Sequence, residues 1–478
     1  MRGRWVTVGI IGLTSGLVLL AAIGRRAATA GDLAAVADGK ADATAAIQAA
    51  VDGRAGTIRF PPGTYRITRP ITVELDRVGF TAFVADGPAR LVMAGAGPAI
   101  RFVGTHAGTA DPKSFKPAVW DRQRTPMVEG LEIVGDHSDA DGIAAEGTMG
   151  LTLQRVGIRL CRHGVHLVKR NRNVLISACH IYENRGIGVY YDHVNLHQSN
   201  IVGCHISYCD GGGVVSRGGE VRNVQITGCD IESCMGAKGP PTANVLLDCT
   251  GGSIAEVAIT GCTIQHNSTG PDSANVRLLG RGDDLKGKAG GAQWGHVTIT
   301  GNVFSDVQTN VDIRDARGVT LTGNTFWMGY AYNLRVEDSQ QIVVGSNAFE
   351  RNPGYAYGTS RNTKNALLFR NCQDCTLTGL HVHGVYGVDA AVTLDRCRRM
   401  NVTGCTILDC DAIGLLCDDV THSRVSDCLI RHDGKDGGKY APLRVVGGRG
   451  NQFASNLFGR PVEIPRDAGT SDGNRVVD

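Results

Sequence analysis

Between Arg162 and Asp210 the chain concentrates His163, His166, Lys169, Arg170, Tyr182, Glu183, Arg185, Tyr190, Tyr191, Asp192, His193, His197 and Asp210. Imidazoles, phenols, carboxylates and cations are the groups that move protons and hold anionic substrates. Eliminative cleavage of a uronic acid polymer needs three of them: a cation to neutralise the carboxylate, a base for the C5 proton, and an acid for the leaving oxygen. On that chemistry Asp192 and Asp248 are expected to hold a Ca²⁺ that neutralises the substrate. Arg217 or Lys169 is then the base and Tyr190 or His193 the acid, while His163, His166, Tyr191, Asp210, Arg277 and Trp294 are expected to bind the sugar chain.

What positions these residues is a repeat. The segments ISACHIYEN, IVGCHISYC, ITGCDIESC, ITGCTIQHN, ITGNVFSDV, LTGNTFWMG, VTGCTILDC and VSDCLIRHD are variants of one unit. They align Leu131, Val156, Cys179, Cys204, Cys229, Cys262, Asn302, Asn324, Asn347, Leu380, Cys405 and Cys428 in one column, stepping by about 22 to 25 residues and by about 33 to 40 where a loop is inserted. Each unit holds three short alternating segments separated by turns. Such a coil cannot pair with itself; it pairs in parallel with the coils above and below, and parallel crossovers are right-handed. The expected fold is all-β, a single-stranded right-handed parallel β-helix of about 12 to 13 coils. Its regular coils span 128–460 within a domain of 31–478.

The segments following the column, GVHLVK, GVYYDH, GVVSRG, NVLLDC, NVRLLG, NVDIRD and NLRVED among them, also align. Alternation turns His166, Tyr190 with Asp192, Arg217, Asp248, Arg277, Asp312 with Arg314, and Arg335 with Glu337 outward. Asp192, Arg217 and Asp248 then share one column on consecutive coils. Lengthened segments at 236–244 and 281–296 are expected to wall this face, and the long loop around Trp120 to form a flap or lateral cover. Alternating acid and base on neighbouring strands also has a plain structural use, pairing to solubilise an exposed sheet.

Composition agrees with strands and turns. Gly numbers 65, aromatics make up 5% and the formal net charge is only +3, so no basic stripe marks a nucleic-acid partner. The 15 Cys are odd in number and six of them fall in the repeat column, which points to a ladder of mostly free buried thiols rather than a disulfide framework, although stacked neighbours such as Cys204 and Cys229 would be near bridging distance. CxxC at Cys372 and Cys375 stands alone as a zinc motif. The opening MRGRW, an apolar stretch from Val6 to Ile23 and then RRAATAG read as a signal peptide or N-terminal anchor over 1–30, implying a secreted, periplasmic or cell-surface protein.

Asp42 is a plausible N-cap for a capping helix over 42–52. The segment DATAAIQAAVDGRAGTIRFPPGTYRITRPITV resembles the opening signature of the pectate-lyase-like superfamily of β-helix proteins, and the later units resemble its generic repeat. The resemblance covers nearly all of the chain after residue 38. It implies a relative of polysaccharide lyases, glycoside hydrolases, uronan epimerases and phage tailspike domains, which handle carbohydrate chains in a groove along one face. The superfamily's Asn-Thr-Asp, Asp-Asp and Gly-His-Gly hydrolase pattern is missing; the nearest strings are Arg162 to Gly164, Asp283-Asp284 and Asp418-Asp419. The epimerase Asp-Pro-His-Asp motif is missing too, and Tyr191 to His193 faintly echoes a pectate-lyase Trp-Ile-Asp-His string.

An exported protein acting on an acidic polysaccharide by β-elimination is therefore the leading expectation. A glycoside hydrolase on the same face needs two carboxylates about 5 to 9.5 Å apart, for which Asp192 and Asp248 lie near the upper end. A non-catalytic glycan-binding or structural surface protein is the third alternative, with Tyr190, Tyr191 and Trp294 as stacking platforms.

Overall fold

In the computed structural model the described residues are 33–109, 111–237, 242–355, 358–434 and 440–477. The expected signal or anchor lies outside them. Among the described residues no helix is long and apolar enough to cross a membrane.

Strand after strand pairs in parallel with the equivalent strand one coil on, forming three sheets wrapped around one core. In a typical coil the first sheet takes 174–177, the second His180–Tyr182 and the third 187–192. The architecture is a right-handed parallel β-helix. Fourteen third-sheet strands follow one another from Ile71–Glu74 to Ala441–Val446. Coil-to-coil pairing thus begins near Thr57, ahead of the regular coils expected from 128.

The apolar interior is continuous from Leu33 to Ala468. Like stacks on like: Phe326 lies between Phe304 and Phe349 with ring centroids 5.0 and 4.6 Å apart. The marker column runs along this interior at a turn. Asn302 donates to Asn324 Oδ1 (3.0 Å) and Asn324 donates to Asn347 Oδ1 (2.9 Å), while the backbone N–H groups of Cys179, Cys204 and Cys229 point at the next coil's thiol. All fifteen cysteines are buried and free, so Cys204 and Cys229 are not bridged.

The helix spans Thr44–Asp52, two residues shorter at its start than expected, and buries Ile47, Ala50 and Val51 against the N-terminal end of the core. Its N-cap is Ala43 rather than Asp42, whose carboxylate instead ties the approach to the helix, accepting from the Thr44 N–H (3.0 Å) and hydroxyl (2.5 Å) and from Thr68 Oγ1 (2.7 Å). These hydrogen bonds hold the Asp42 carboxyl below its ordinary range although burial acts the other way. Around Trp120, the loop between the third and first sheets lays Phe115 beneath the Arg172 guanidinium, 4.9 Å from the ring centre.

Candidate functional site

Outward residues of the third sheet are in direct register. His166 lies opposite Tyr190, and Asp192 opposite Arg217, which lies opposite Asp248. The strand carrying Tyr190 and Asp192 then bends out of the sheet at His193, whose φ is +44°. One coil on, Gly218 sits at the matching bend, and a Cβ there would lie 2.6 Å from His193 Cδ2. Glycine therefore leaves the space into which His193 folds.

Asp192 is the hub. Its Oδ2 is 2.9 Å from His166 Nε2 and its Oδ1 is 2.8 Å from His193 Nδ1. Burial raises its pKa, but hydrogen bonds from His193, His166 and Tyr190 outweigh this and hold the carboxyl below its usual range. An aspartate accepting from one imidazole nitrogen fixes the tautomer and leaves the other nitrogen with a lone pair. For His193 that nitrogen is Nε2, on a side chain 68% exposed.

Tyr190 stacks on His166, centroids 5.3 Å apart and planes 6° from parallel. Its hydroxyl lies between the Asp192 carboxylate and the Arg217 guanidinium; burial and then the Asp192 charge raise its pKa, and Arg217 lowers it. His163 completes the cluster, 5.2 Å from His166 and 5.3 Å from Tyr190 by ring centres. Its position is set by Asp141, which pairs with Arg162 (2.6 Å) and accepts from the His163 N–H (3.0 Å). His163 Nδ1 accepts from the Ile187 N–H, and burial pushes its pKa down to about 4, so the ring is neutral at neutral pH.

Six expected site residues lie elsewhere in the chemistry. Tyr191 is fully buried with its hydroxyl 2.7 Å from Ser199 Oγ, because the alternation that turns Tyr190 out turns its neighbour in. Lys169 is bound to Glu146 at 2.5 Å, on a bend with φ +55°. Arg277 shares the outward register but is buried, pairing with Asp312 (2.7 Å) and with Asp272 (3.0 Å) from the inserted segment that closes over it. Trp294 packs at the corner between the third and first sheets, donating to Asp283 O (2.8 Å) beneath Arg222. Asp192 and Asp248 do not form the expected cation site: the Arg217 strand separates them, Asp248 caps the Thr250 N–H (3.0 Å), and neither belongs to a convergent set of three donors among the described residues. Asp210 is exposed on the turn before the third sheet. Of the expected walls, 281–296 forms a small hairpin pairing Arg281–Gly282 with Ala292–Gln293, at the same corner as Trp294.

A feature unmarked in the sequence reading is a cavity of about 460 Å³ beside the insertion following Phe349, lined by Trp327, Arg351, Tyr355, Arg361 and Tyr386 among others. Tyr355 meets Trp327 edge-on at 4.6 Å, and Arg351 lies 4.8 Å over the Tyr386 ring. The aromatic-rich insertion itself was the available signal.

The fold defines the class: a right-handed parallel β-helix protein. The family model for a right-handed beta helix region matches residues 119–270, and the rhamnogalacturonase A/epimerase, pectate lyase-like model matches 29–97. The periplasmic copper-binding protein (NosD) model matches 257–474. No curated protein matches. Among solved structures, the chain is similar to tailspike protein 3 of bacteriophage CBA120 (12% identity, TM-score 0.44), covering 93% of this chain but only 60% of the tailspike. It is also similar to the Azotobacter vinelandii mannuronan C-5 epimerase AlgE4 A-module (13%, TM-score 0.38, 94% and 99% covered). A third is the E. coli bacteriophage HK620 tailspike in complex with pentasaccharide (12%, TM-score 0.46, 87% and 77%). Within the segment that the copper-binding model matches, no three His, Cys, Asp or Glu donors converge among the described residues.

Proposed function

We propose that this protein acts outside the cytoplasm on an acidic polysaccharide, cleaving it by β-elimination across the third sheet. One observation carries the reading: Asp192 orients two imidazoles while the Tyr190 hydroxyl and the Arg217 guanidinium stand beside them. Arg217 pairs with the uronate carboxylate and so acidifies C5. His193 Nε2 takes the C5 proton; the C–H electrons form the C4–C5 double bond, the C4–O bond breaks, and Tyr190 protonates the departing oxygen. Lys169, held by Glu146, takes no part. The N-terminal match to a model named for rhamnogalacturonase A, epimerase and pectate lyase supports a carbohydrate substrate, and the match to a periplasmic family supports the location.

The test is the ultraviolet absorbance of the new conjugated double bond on a panel of uronic-acid polymers. Growth lost in Arg217→Ala and Tyr190→Phe supports the reading; silence across the panel overturns it. A second reading, glycan binding without cleavage, is favoured by the aromatic cavity at Trp327, Tyr355 and Tyr386. It predicts retention on immobilised polysaccharide with no new chain ends.

A further inference from the structure

The second sheet presents its own outward columns, on a different side of the solenoid from Tyr190. His180, His205 and Asp230 lie in register on consecutive strands, each directly following a column cysteine, and Glu232 stands two residues beyond Asp230 on the same face. His205 Nε2 is 3.5 Å from Asp230 Oδ2 and 3.6 Å from Glu232 Oε1. That nitrogen is buried and has no hydrogen-bond partner. One donor atom from each of the three residues lies within 4.8 Å of the others.

These spacings are long for charge-assisted hydrogen bonds, which close to about 2.7 to 2.9 Å. They suit two ligands sharing one ion: with metal–ligand bonds of about 2.0 to 2.2 Å and tetrahedral angles, donors stand about 3.4 Å apart. The imidazole is held in place from its far side, its ring stacked on His180 at 4.6 Å and 20°, with His180 in turn against Tyr182 at 4.3 Å. Glu232 is steadied by Gln265 Nε2 at 3.4 Å, and His266 Nε2 lies 4.0 Å from its second oxygen, tethered by Asp306 at 3.6 Å.

We infer that His205, Asp230 and Glu232 form a divalent transition-metal site of the zinc class, one imidazole and two carboxylates, with its remaining positions turned to solvent. Three protein ligands with open positions are the pattern of a site that also takes water or an anionic ligand, rather than a closed structural one. The site lies outside the residues matched by the copper-binding family model, 257–474, and is independent of the third-sheet cluster.

The experiment is equilibrium dialysis and calorimetric titration of the chelator-treated full chain with Zn²⁺, followed by Co²⁺ substitution read by visible d–d absorption. One equivalent of Zn²⁺ is expected, competed by Co²⁺, weakened at least about tenfold by His205→Ala and by Glu232→Gln, in line with loss of a ligand, and unchanged in Asp248→Asn. Absence of stoichiometric binding by the unsubstituted protein overturns the assignment, as does binding that survives both ligand substitutions; His205 then simply packs beside two carboxylates. Circular dichroism of each variant checks that the solenoid is intact, and the unsubstituted titration decides the matter if either variant fails to fold.

Discussion

Arg277 and Asp312 face one another from adjacent coils, Nε 2.7 Å from Oδ2, and neither reaches solvent to any extent. Arg335 and Arg314 close on the same carboxylate, at 2.9 and 3.0 Å. Neutralising this buried carboxylate leaves the three guanidinium groups to share Asp272 alone, a side chain 41% exposed. Asp312→Asn is therefore expected to cost about 3 to 5 kcal/mol, read as a lowered urea midpoint.

Acid should act through the same group. Burial opposes ionisation of Asp312, but Arg335, Arg277 and Arg314 prevail and hold its pKa at about 2, below the ordinary aspartate range. A depressed folded-state pKa contributes stability that is full above the unfolded value and disappears as pH falls through the folded one. About 2 kcal/mol is expected to be lost between roughly pH 4 and pH 2, and denaturant titrations should show this segment of the loss absent in Asp312→Asn.

Tyr190→Phe removes the hydroxyl between Asp192 and Arg217 while leaving the ring stacked on His166. Elimination is expected to fall about 10² to 10⁴-fold, the usual worth of a positioned acid, with the melting temperature unchanged. A parallel loss of stability would instead assign Tyr190 a packing role.

Gly218→Ala tests the space reserved for His193. A Cβ there would sit 2.6 Å from the ring at a backbone φ of +59°, so the imidazole must swing away from Asp192. Activity is expected to drop at least tenfold at a stability cost of about 1 kcal/mol. Retained activity would remove His193 from the reaction.

Asn324 accepts the N–H of Asn302 and donates to Ile299 O (3.0 Å) and Asn347. Asn324→Ala orphans several buried groups and should cost about 2 to 3 kcal/mol in chemical denaturation. Asn324→Cys should cost less, because thiols already fill this column at Cys229 and Cys262 and meet the neighbouring N–H groups.

Register was legible because one face of every strand is buried: the alternation that makes Val189 and Tyr191 inward leaves Tyr190 and Asp192 outward. Tyr191 was misplaced by weighing the local density of functional groups above that same alternation. Arg277 shows a different limit, since Asp272 reaches it from an inserted segment whose path has no period to read. Lys169 departs from the alternation differently, at a bend with φ +55° that turns it toward Glu146 on the previous coil. The second-sheet donors His180, His205 and Asp230 each directly follow a marker cysteine, so the repeat itself carries their register.

The marker column has an evolutionary reading. Cys179, Cys204 and Cys229 stand 25 residues apart and offer the neighbouring coil the same donor and acceptor. Excising one such period would bring Cys179 against Cys229 with the contact regenerated, and duplicating it would insert a coil just as smoothly. Lineages built this way can gain or lose length in whole quanta, rescaling the reach of the molecule while every surviving coil keeps its neighbours.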